Sequence, residues 1–374
     1  MVASVGNNCT EFTTSLLTKN SGISTRKDTN KTGGFISQNS FKNKYFAIAD
    51  QAIQEALDDA KISRNELNQN HRIGMVLGTS LANIGIFENN IRYSVKTKKT
   101  NMNNSRLITG TIGYLLLHLR RKYKISGPGY ILSNTCVSGI NTISLGCQLI
   151  NRGQVDYCII GSLDVISDLI YYGMKSLNAL SEKKELQPFS AVRDGMLLGE
   201  GSGFIIVTNQ KGKTSYGKIA GYAITNDGKH LTAPDREGKA LIMAIDQSMA
   251  MAGLEVSELD CIFCGGTGTS YNDAMQAFAI KYIEKKSGIS IPVTSIKSLI
   301  GHTLGASGTI ESIAALIMMK KGFLISIGSN YALDPSLAPI PVIQNMLRGE
   351  INKTILLSSG FSGVNGVLVL KKDL

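Results

Sequence analysis

Cys136 is the residue whose sequence context best suits covalent chemistry. It stands in S-N-T-C-V-S-G (residues 133–139), after an extended run and before a helical pattern, which predicts a strand-to-helix turn. The N–H groups and dipole at a helix start stabilise an anion, so we expect the pKa of this thiol to be lowered. Such a thiolate is a nucleophile, and adjacent N–H groups could hold an oxyanion. A small buried cysteine at a helix start is the equally weighted alternative.

A second segment places a histidine near a lysine. It runs K-S-L-I-G-H-T-L-G-A-S-G (residues 297–308) and continues to Glu311. Its small residues let a helix approach neighbouring backbone and put His302 at the helix start. His302 could donate a hydrogen bond to a thioester carbonyl, although a lone histidine is more often structural. Lys297 and Glu311 could form a supporting ion pair or remain two solvated charges.

Three glycine-rich segments complete the set. They are C-G-G-T-G-T-S-Y-N-D (264–273), S-G-F-S-G-V-N-G (359–366) and P-F-S-A-V-R-D-G-M-L-L-G-E-G-S-G (188–203). The first lacks the lysine of a phosphate-binding loop and the spacing of a dinucleotide fingerprint. Each of the three, taken alone, is most simply an ordinary turn.

The elements that must position these segments alternate between strand and helix. Short apolar runs predict strands at 72–77, 130–132, 157–160, 204–207, 261–264, 354–357 and 367–371. Apolar residues at helical spacing predict helices at 137–151, 241–251 and 311–321. This alternation indicates a layered α/β domain whose halves echo each other in outline. Polar stretches at 19–43 and 96–105 are predicted to be loops.

Composition restricts the class of protein. The 374 residues are 43% hydrophobic, and no run is long and apolar enough to cross a membrane. The first residues lack the features of a signal peptide, so we expect a cytoplasmic protein. The net charge of +11 is scattered and fits an acidic protein partner or plain surface charge better than a nucleic acid. Cys261 and Cys264 predict a buried strand, and we expect no metal site.

In this order and at these separations, the five segments resemble those of the β-ketoacyl-acyl-carrier-protein synthases. These are the condensing enzymes of fatty acid and polyketide synthesis. Residues 188–203 are similar to P-F-D-x-x-R-D-G-x-x-x-G-E-G-x-G, with Ser190 for the first Asp. Residues 297–308 are similar to K-S-x-x-G-H-x-x-G-A-x-G, and residues 360–365 to G-F-G-G-x-N with Ser362 for a Gly. The Cys136 segment resembles the nucleophile turn, usually T-A-C-S-S.

The resemblance implies a thiolase-like α/β fold with a five-layered αβαβα core. Its duplicated halves are residues 1–210, with the nucleophile, and 211–374, with the histidine, lysine and gating loop. It also assigns site roles: the nucleophile at Cys136, a catalytic histidine at His302 with Lys297 and Glu311 beside it, gating and an oxyanion N–H at Phe361, and phosphopantetheine contacts at Thr267 and Thr269. It implies an acyl carrier protein as partner, which brings its own phosphopantetheine, no other cofactor, and a homodimer or a heterodimer with a ketosynthase-like subunit.

Departures from the family pattern bear on the reaction. Gly265 stands where the family has the first histidine of H-G-T-G-T, and Gln276 stands where it usually has Glu. In the family, two histidines hold the malonyl thioester oxygen while CO2 leaves, and losing one such donor typically costs about 10²–10³ in rate. Ser359 replaces a second Phe of many gate loops. Val2–Gly6 aligns with the end of the family's first strand, so we expect either that this strand is truncated or that the given sequence starts late.

These departures favour a transacylase over a condensing enzyme. Loading Cys136 needs a thiolate and two backbone N–H groups, whereas decarboxylation of a malonyl thioester needs both imidazoles. Two alternatives stay open. One is a decarboxylative synthase with an atypical site, and the other is a non-catalytic partner subunit, which retention of Cys136 argues against.

Overall fold

The secondary structure alternates between strands and helices along most of the chain. The computed structural model describes residues 1–37, 44–63, 66–67, 72–98, 107–210, 215–328, 331–337 and 339–373. Its strands are β1 (Val2–Ala3), β2 (Ile23–Thr25), β3 (Thr32–Gly34), β4 (Ile73–Gly78), β5 (Gly129–Leu132), β6 (Tyr157–Asp164), β7 (Leu198–Gly199), β8 (Gly201–Thr208), β9 (Lys218–Asn226), β10 (Cys261–Phe263), β11 (Val293–Thr294), β12 (Phe323–Leu324), β13 (Leu347–Arg348), β14 (Lys353–Ser359) and β15 (Val364–Lys371). Its α-helices are α1 (Cys9–Thr18), α2 (Lys44–Asp59), α3 (Gly85–Thr97), α4 (Ile112–Tyr123), α5 (Ser138–Asn151), α6 (Asp168–Ser176), α7 (Lys239–Ala252), α8 (Ser270–Ser287), α9 (Lys297–Ile300) and α10 (Ser307–Lys321).

Two five-stranded sheets repeat one topology. The first has the order β1-β8-β6-β4-β5, and the second, read from its corresponding edge, has the order β9-β15-β14-β10-β11. In the first sheet, β1, β8 and β6 pair antiparallel and β6, β4 and β5 pair parallel. In the second sheet, β9, β15 and β14 pair antiparallel and β14, β10 and β11 pair parallel. The identical order and directions are those of a duplicated unit, and the change from one sheet to the other falls between β8 and β9.

Helices cover both sheets and fill the space between them. Helices α2 and α4 pack on the outer face of the first sheet, and α7 and α8 cover the outer face of the second. Helices α5 and α10 lie in the middle and contact strands of both sheets. The layers are therefore α, β, α, β and α, as a thiolase-like fold requires.

The two central helices are buried on almost every side because they touch sheets on both faces. In α10, twelve of the fifteen residues are buried, including the stretch Ile310 to Ala315. In α5, ten of fourteen are buried. By contrast, α2 buries only one stripe of apolar residues, as a helix on the outside of the fold does.

Two of the polar stretches contain more structure than predicted. Residues 19–43 were expected to form a loop, but β2 and β3 pair antiparallel there and β3 pairs in parallel with β7. Residues 38–43 of that stretch lie outside the described residues. In the second stretch, residues 96 and 97 end helix α3, and residues 99–105 lie outside the described residues. A prediction from polarity alone missed this strand pair and the end of this helix, because the strands are short and the helix has no buried residue.

Strand β1 has two residues, which pair antiparallel with Gly201 and Ser202 of β8. Within the described ranges, none of the helices combines the length and the apolar character that a bilayer crossing needs.

Candidate active site

Cys136 lies on a tight turn between β5 and helix α5. The residue before it, Thr135, has φ 49°, a left-handed conformation that β-branched residues rarely adopt. The Ser138 hydroxyl accepts from the Asn134 N–H at 2.8 Å and donates to the Thr135 carbonyl at 2.7 Å. These two bonds hold the turn in its strained form, and strain of this kind concentrates at functional sites. The predicted strand-to-helix turn at Cys136 is therefore present.

Close backbone contact brings the start of α5 against the start of α10. A Cβ atom built on Gly139 would lie 2.6 Å from the backbone nitrogen of Thr309 and 2.9 Å from Cα of Gly308. A Cβ atom on Gly308 would lie 2.5 Å from the backbone nitrogen of Ile140. Only glycine fits at either position, so the small residues set the separation between the Cys136 turn and the His302 segment.

The prediction of a lowered pKa for Cys136 is wrong in this structure. The thiol is half-buried, and burial raises its pKa to about 12. The positive charge of Lys297 acts against this rise, and the carboxyl groups of Asp164 and Glu311 add to it. The prediction considered only the helix start and left out the apolar surroundings that the turn acquires on folding.

His302 is held as a neutral hydrogen-bond donor. It is 4% exposed, and its pKa lies well below the usual range because of burial and the nearby charge of Lys297. Its Nδ1 accepts from the Leu304 N–H at 3.3 Å and lies 2.9 Å from the Ser307 hydroxyl. Since Nδ1 is an acceptor, the proton of the neutral ring sits on Nε2. His302 can therefore donate to a carbonyl oxygen.

Lys297 and Glu311 form a buried ion pair, with side chains 4% and 7% exposed. The alternative of two solvated charges is thus excluded. Burial raises the pKa of the Glu311 carboxyl, and Lys297 acts against that rise. Charge from this pair reaches Cys136, His302 and Cys264 alike, so the pair lies among the groups that the sequence grouped into one site.

The loop that contains Phe361 rests on the Cys136 turn. A Cβ atom on Gly360 would overlap the Thr135 hydroxyl and lie 3.2 Å from the backbone nitrogen of Cys136. Ser362 has φ 65°, and its N–H donates to the Leu231 carbonyl at 2.6 Å. Phe361 is half-buried. The backbone of this loop and the Cys136 N–H therefore lie side by side, as a two-donor oxyanion hole would require.

Ser359 occupies the position of the second gate phenylalanine and has its own partner. Its hydroxyl lies 2.7 Å from Oδ1 of Asn365. The pair replaces an aromatic side chain with a small polar bridge across β14 and β15 at the base of the loop.

Thr267 and Thr269 share a hydrogen bond beside the same site. Their hydroxyl oxygens are 2.9 Å apart, and the Asn272 amide donates to Oγ1 of Thr267 at 3.0 Å. Thr267 is buried, whereas Thr269 is half-buried and accessible to a ligand. Of the two residues predicted to contact phosphopantetheine, Thr269 is thus the more exposed.

Gly265 lies at the position of the missing histidine, and the Gln276 side chain packs against it. The Gly265 N–H donates to Oε1 of Gln276 at 2.6 Å. A Cβ atom on Gly265 would lie 2.5 Å from Nε2 of Gln276. The two departures from the family pattern, eleven positions apart in the sequence, are therefore in direct contact.

Asp164 is a buried hub that the sequence reasoning missed. Its carboxylate accepts from the hydroxyl groups of Thr79 and Ser80, each at 2.6 Å, and from the Gly305 N–H at 2.7 Å. Burial raises the pKa of this carboxyl. It ties the ends of β4 and β6 to the turn that follows His302. The sequence did contain a signal for this role, because Asp164 is a charged residue at the end of the apolar run 157–164.

Metal ligation has no support in the described ranges, where no three His, Cys, Asp or Glu side chains converge. Cys261 and Cys264 are fully buried, in and just after β10, with free thiols whose pKa values burial raises above the usual range. The reading of this pair as a buried strand is confirmed.

Comparison with known proteins agrees with this geometry. The N-terminal domain of β-ketoacyl synthases matches residues 36–212, and the C-terminal domain matches residues 216–328. The chain is 30% identical over 345 residues to 3-oxoacyl-[acyl-carrier-protein] synthase 2 of Synechocystis, covering 88% of this chain and 81% of that protein. The chain belongs to the β-ketoacyl synthase family. Another relative in the family, 3-oxoacyl-[acyl-carrier-protein] synthase 1 of Buchnera aphidicola, is 28% identical and covers 100% of this chain and 97% of its own.

Solved β-ketoacyl synthase structures superpose on the whole chain. A type II polyketide ketosynthase bound to its acyl carrier protein shares 25% identity with a TM-score of 0.89, covering 100% of this chain and 97% of that one. A Xenorhabdus doucetiae ketosynthase in complex with its chain length factor has a TM-score of 0.87 at 24% identity, covering 100% and 96%. The thiolase-like α/β fold expected from the sequence is confirmed.

Proposed function

We propose that this chain takes an acyl group from an acyl carrier protein thioester onto Cys136 and passes it to an acceptor, in fatty acid or polyketide-type biosynthesis. The observation that carries the proposal is an asymmetry of the site. The nucleophile turn, the adjacent gate-loop backbone and His302 are present, but the position of the first histidine is Gly265. The site thus keeps what acyl transfer needs and lacks half of what decarboxylation uses.

Loading is a thioester exchange. The Cys136 sulfur attacks the carbonyl carbon of the carrier thioester, and the oxygen takes negative charge beside the backbone N–H groups of Cys136 and Phe361. The bond to the phosphopantetheine sulfur then breaks, and the thiol proton of Cys136 ends on that sulfur. Acyl-Cys136 and a free carrier thiol result, and the reverse exchange delivers the acyl group to another thiol.

Condensation would need more from the site. A malonyl thioester losing CO2 shifts an electron pair onto its thioester oxygen, which must be held by strong donors. His302 supplies one donor through Nε2–H. With glycine at 265, the second imidazole is missing, and we expect decarboxylation to be slowed by about 10²–10³. A decarboxylative synthase with an atypical site is the second candidate, because Gln276 brings a different donor to the same place.

The proposed donor partner is an acidic acyl carrier protein. The net charge of +11 supports an acidic partner, as does the carrier complex of the structural relative above. Thr267 and Thr269 are the proposed contacts for its phosphopantetheine arm. We also propose a dimer, either of two copies or with a ketosynthase-like subunit, since a structural relative is a ketosynthase with a chain length factor.

Separate measurement of loading and decarboxylation tests the proposal. The protein is incubated with acyl-loaded carrier and followed for acyl-Cys136, and in parallel with malonyl-loaded carrier and followed for CO2. We expect loading that Cys136→Ala abolishes and CO2 release at least about 10²-fold slower than loading. Rapid malonyl-dependent elongation by the protein alone would overturn the proposal. Unchanged activity of a complex after alkylation of Cys136 would instead favour a non-catalytic subunit.

A further inference from the structure

The Gln276 carboxamide is fixed in one orientation. Its Oε1 accepts from the Gly265 N–H at 2.6 Å, and a backbone N–H can only donate. The amide cannot be flipped without placing two donors against each other. Nε2 therefore lies on the other side, 2.5 Å from where a side chain at 265 would begin. The amide nitrogen thus enters the space that a histidine at 265 would occupy.

Nε2 has hydrogen atoms to donate and no acceptor. Gln276 is completely buried, and among the described residues no hydrogen-bond partner reaches this nitrogen. A buried donor left unsatisfied typically costs about 1–3 kcal/mol, so an acceptor supplied by a ligand would stabilise it. The nearby Ser295 hydroxyl donates to the Gly265 carbonyl at 3.2 Å.

We propose that Nε2 of Gln276 donates a hydrogen bond to the thioester oxygen of the second carrier-bound group, on the side of the site that the missing imidazole would have served. His302 Nε2–H is the other donor. The donation is direct or runs through one bridging water. The inference rests on the proposed function, because it assumes that a second thioester enters the Cys136 site.

A carboxamide and an imidazole differ in what they can do there. The amide donates at every pH, carries no charge and neither takes nor releases a proton. Gln276 would therefore bind and orient the thioester, giving only modest stabilisation of the enolate oxygen that forms as CO2 leaves. This matches a site that accepts a carrier-bound group more readily than it extends the chain.

The substitution Gln276→Glu isolates the donor. Glutamate has nearly the same shape and can still accept from the Gly265 N–H, but an ionised carboxylate cannot donate. The readout is the affinity of the protein, already acylated on Cys136, for malonyl-loaded carrier relative to unloaded carrier with its free thiol. We expect the preference for the loaded carrier and any CO2 release to fall about tenfold at a pH where the new carboxyl group is ionised. Loading of Cys136 should change less than about threefold.

Protonation supplies a second check on the same variant. A buried glutamic acid keeps its proton at low pH and can then donate. The preference of Gln276→Glu for malonyl carrier should therefore recover as the pH falls, whereas the wild type should show no such dependence. Gln276→Met, which cannot donate at any pH, should lack the recovery.

A control variant and the possible outcomes distinguish the role of Gln276 from the proposed transacylase function. Gln154→Glu changes an exposed glutamine after α5 and should leave both affinities unchanged. An unchanged carrier preference in both Gln276→Glu and Gln276→Met would overturn the role of Gln276, as would equal losses in loading and preference. The rate of CO2 release by the wild type decides the proposed function instead. A fast wild type that slows in Gln276→Glu would reject the transacylase and keep Gln276 as donor.

Discussion

Replacing Gly139 by alanine should separate the two halves of the active site. The new methyl group would lie 2.6 Å from the backbone nitrogen of Thr309 and 2.9 Å from Cα of Gly308. Neither is the end of a flexible side chain, so helix α5 or α10 must shift. Overpacking of this kind typically costs about 1–3 kcal/mol, and a displacement of about 1 Å at reacting groups can cost about 10² in rate. Cys136 is three residues away and moves with α5.

The assay pairs stability with loading. Urea unfolding should show a free energy of unfolding lowered by about 1–3 kcal/mol. Acylation of Cys136 from a carrier should slow by about 10²-fold in the fraction that stays folded. Gly173→Ala is the matched control. It lies in helix α6 with no atom near its added methyl group and should be neutral or stabilising by up to about 1 kcal/mol. Loading at the wild-type rate in a stable Gly139→Ala variant would refute the claim that this contact positions Cys136.

The burial of Cys136 and the buried charges around it support four further predictions. Because burial raises its pKa to about 12, alkylation of Cys136 by iodoacetamide should accelerate about tenfold per pH unit up to about pH 9, and a plateau below about pH 8 would contradict this. Lys297→Met removes the charge that opposes this rise, so the pKa should increase and the alkylation rate at each pH should fall. Glu311→Leu leaves Lys297 charged and buried without its partner, so the free energy of unfolding in urea should fall by about 3–5 kcal/mol. A fall of less than about 1 kcal/mol would be evidence against a buried ion pair. Asp164→Asn keeps one acceptor oxygen and turns the other into an NH2 donor, so either the Thr79 hydroxyl or the Ser80 hydroxyl and the Gly305 N–H lose their acceptor. We expect a cost of about 1–3 kcal/mol, and an unchanged unfolding temperature would contradict it.

The layered fold was predictable because its signals are local. Buried strands such as 157–160 and the apolar helix at 311–321 appear as periodic patterns in the sequence and are confirmed within β6 and α10. The β2–β3 pair was missed because its residues are polar and only partly buried, so no apolar period marks it. The shared strand order of the two halves could only be suggested, since pairing between distant strands leaves little trace in one sequence.

The sequence predicts the members of the candidate site but does not predict the pKa values of its groups. Motif order brought Cys136, His302, Lys297 and Glu311 together, and the structure adds the buried Lys297–Glu311 pair and the neutral state of His302. The raised pKa of Cys136 escaped prediction because it depends on burial by distant segments. A local view of the sequence contains only the favourable helix start.

Side-chain contacts between distant positions were also out of reach. Gln276 and Gly265 are separate departures in the sequence, and only the folded chain shows the carboxamide filling the place of the absent side chain. Asp164 likewise acts on the turn after His302 from the other half of the molecule. Both cases depend on geometry that helix α8 and strand β6 create.

Intact-mass spectrometry is the most direct test of acyl transfer without condensation. The protein is incubated with acyl-loaded carrier and then with malonyl-loaded carrier, and the mass on Cys136 and on the carrier is followed with time. We expect rapid formation of acyl-Cys136, transfer of its acyl group back to a free carrier thiol, and little or no β-ketoacyl carrier. Rapid appearance of β-ketoacyl carrier with loss of CO2 would contradict it.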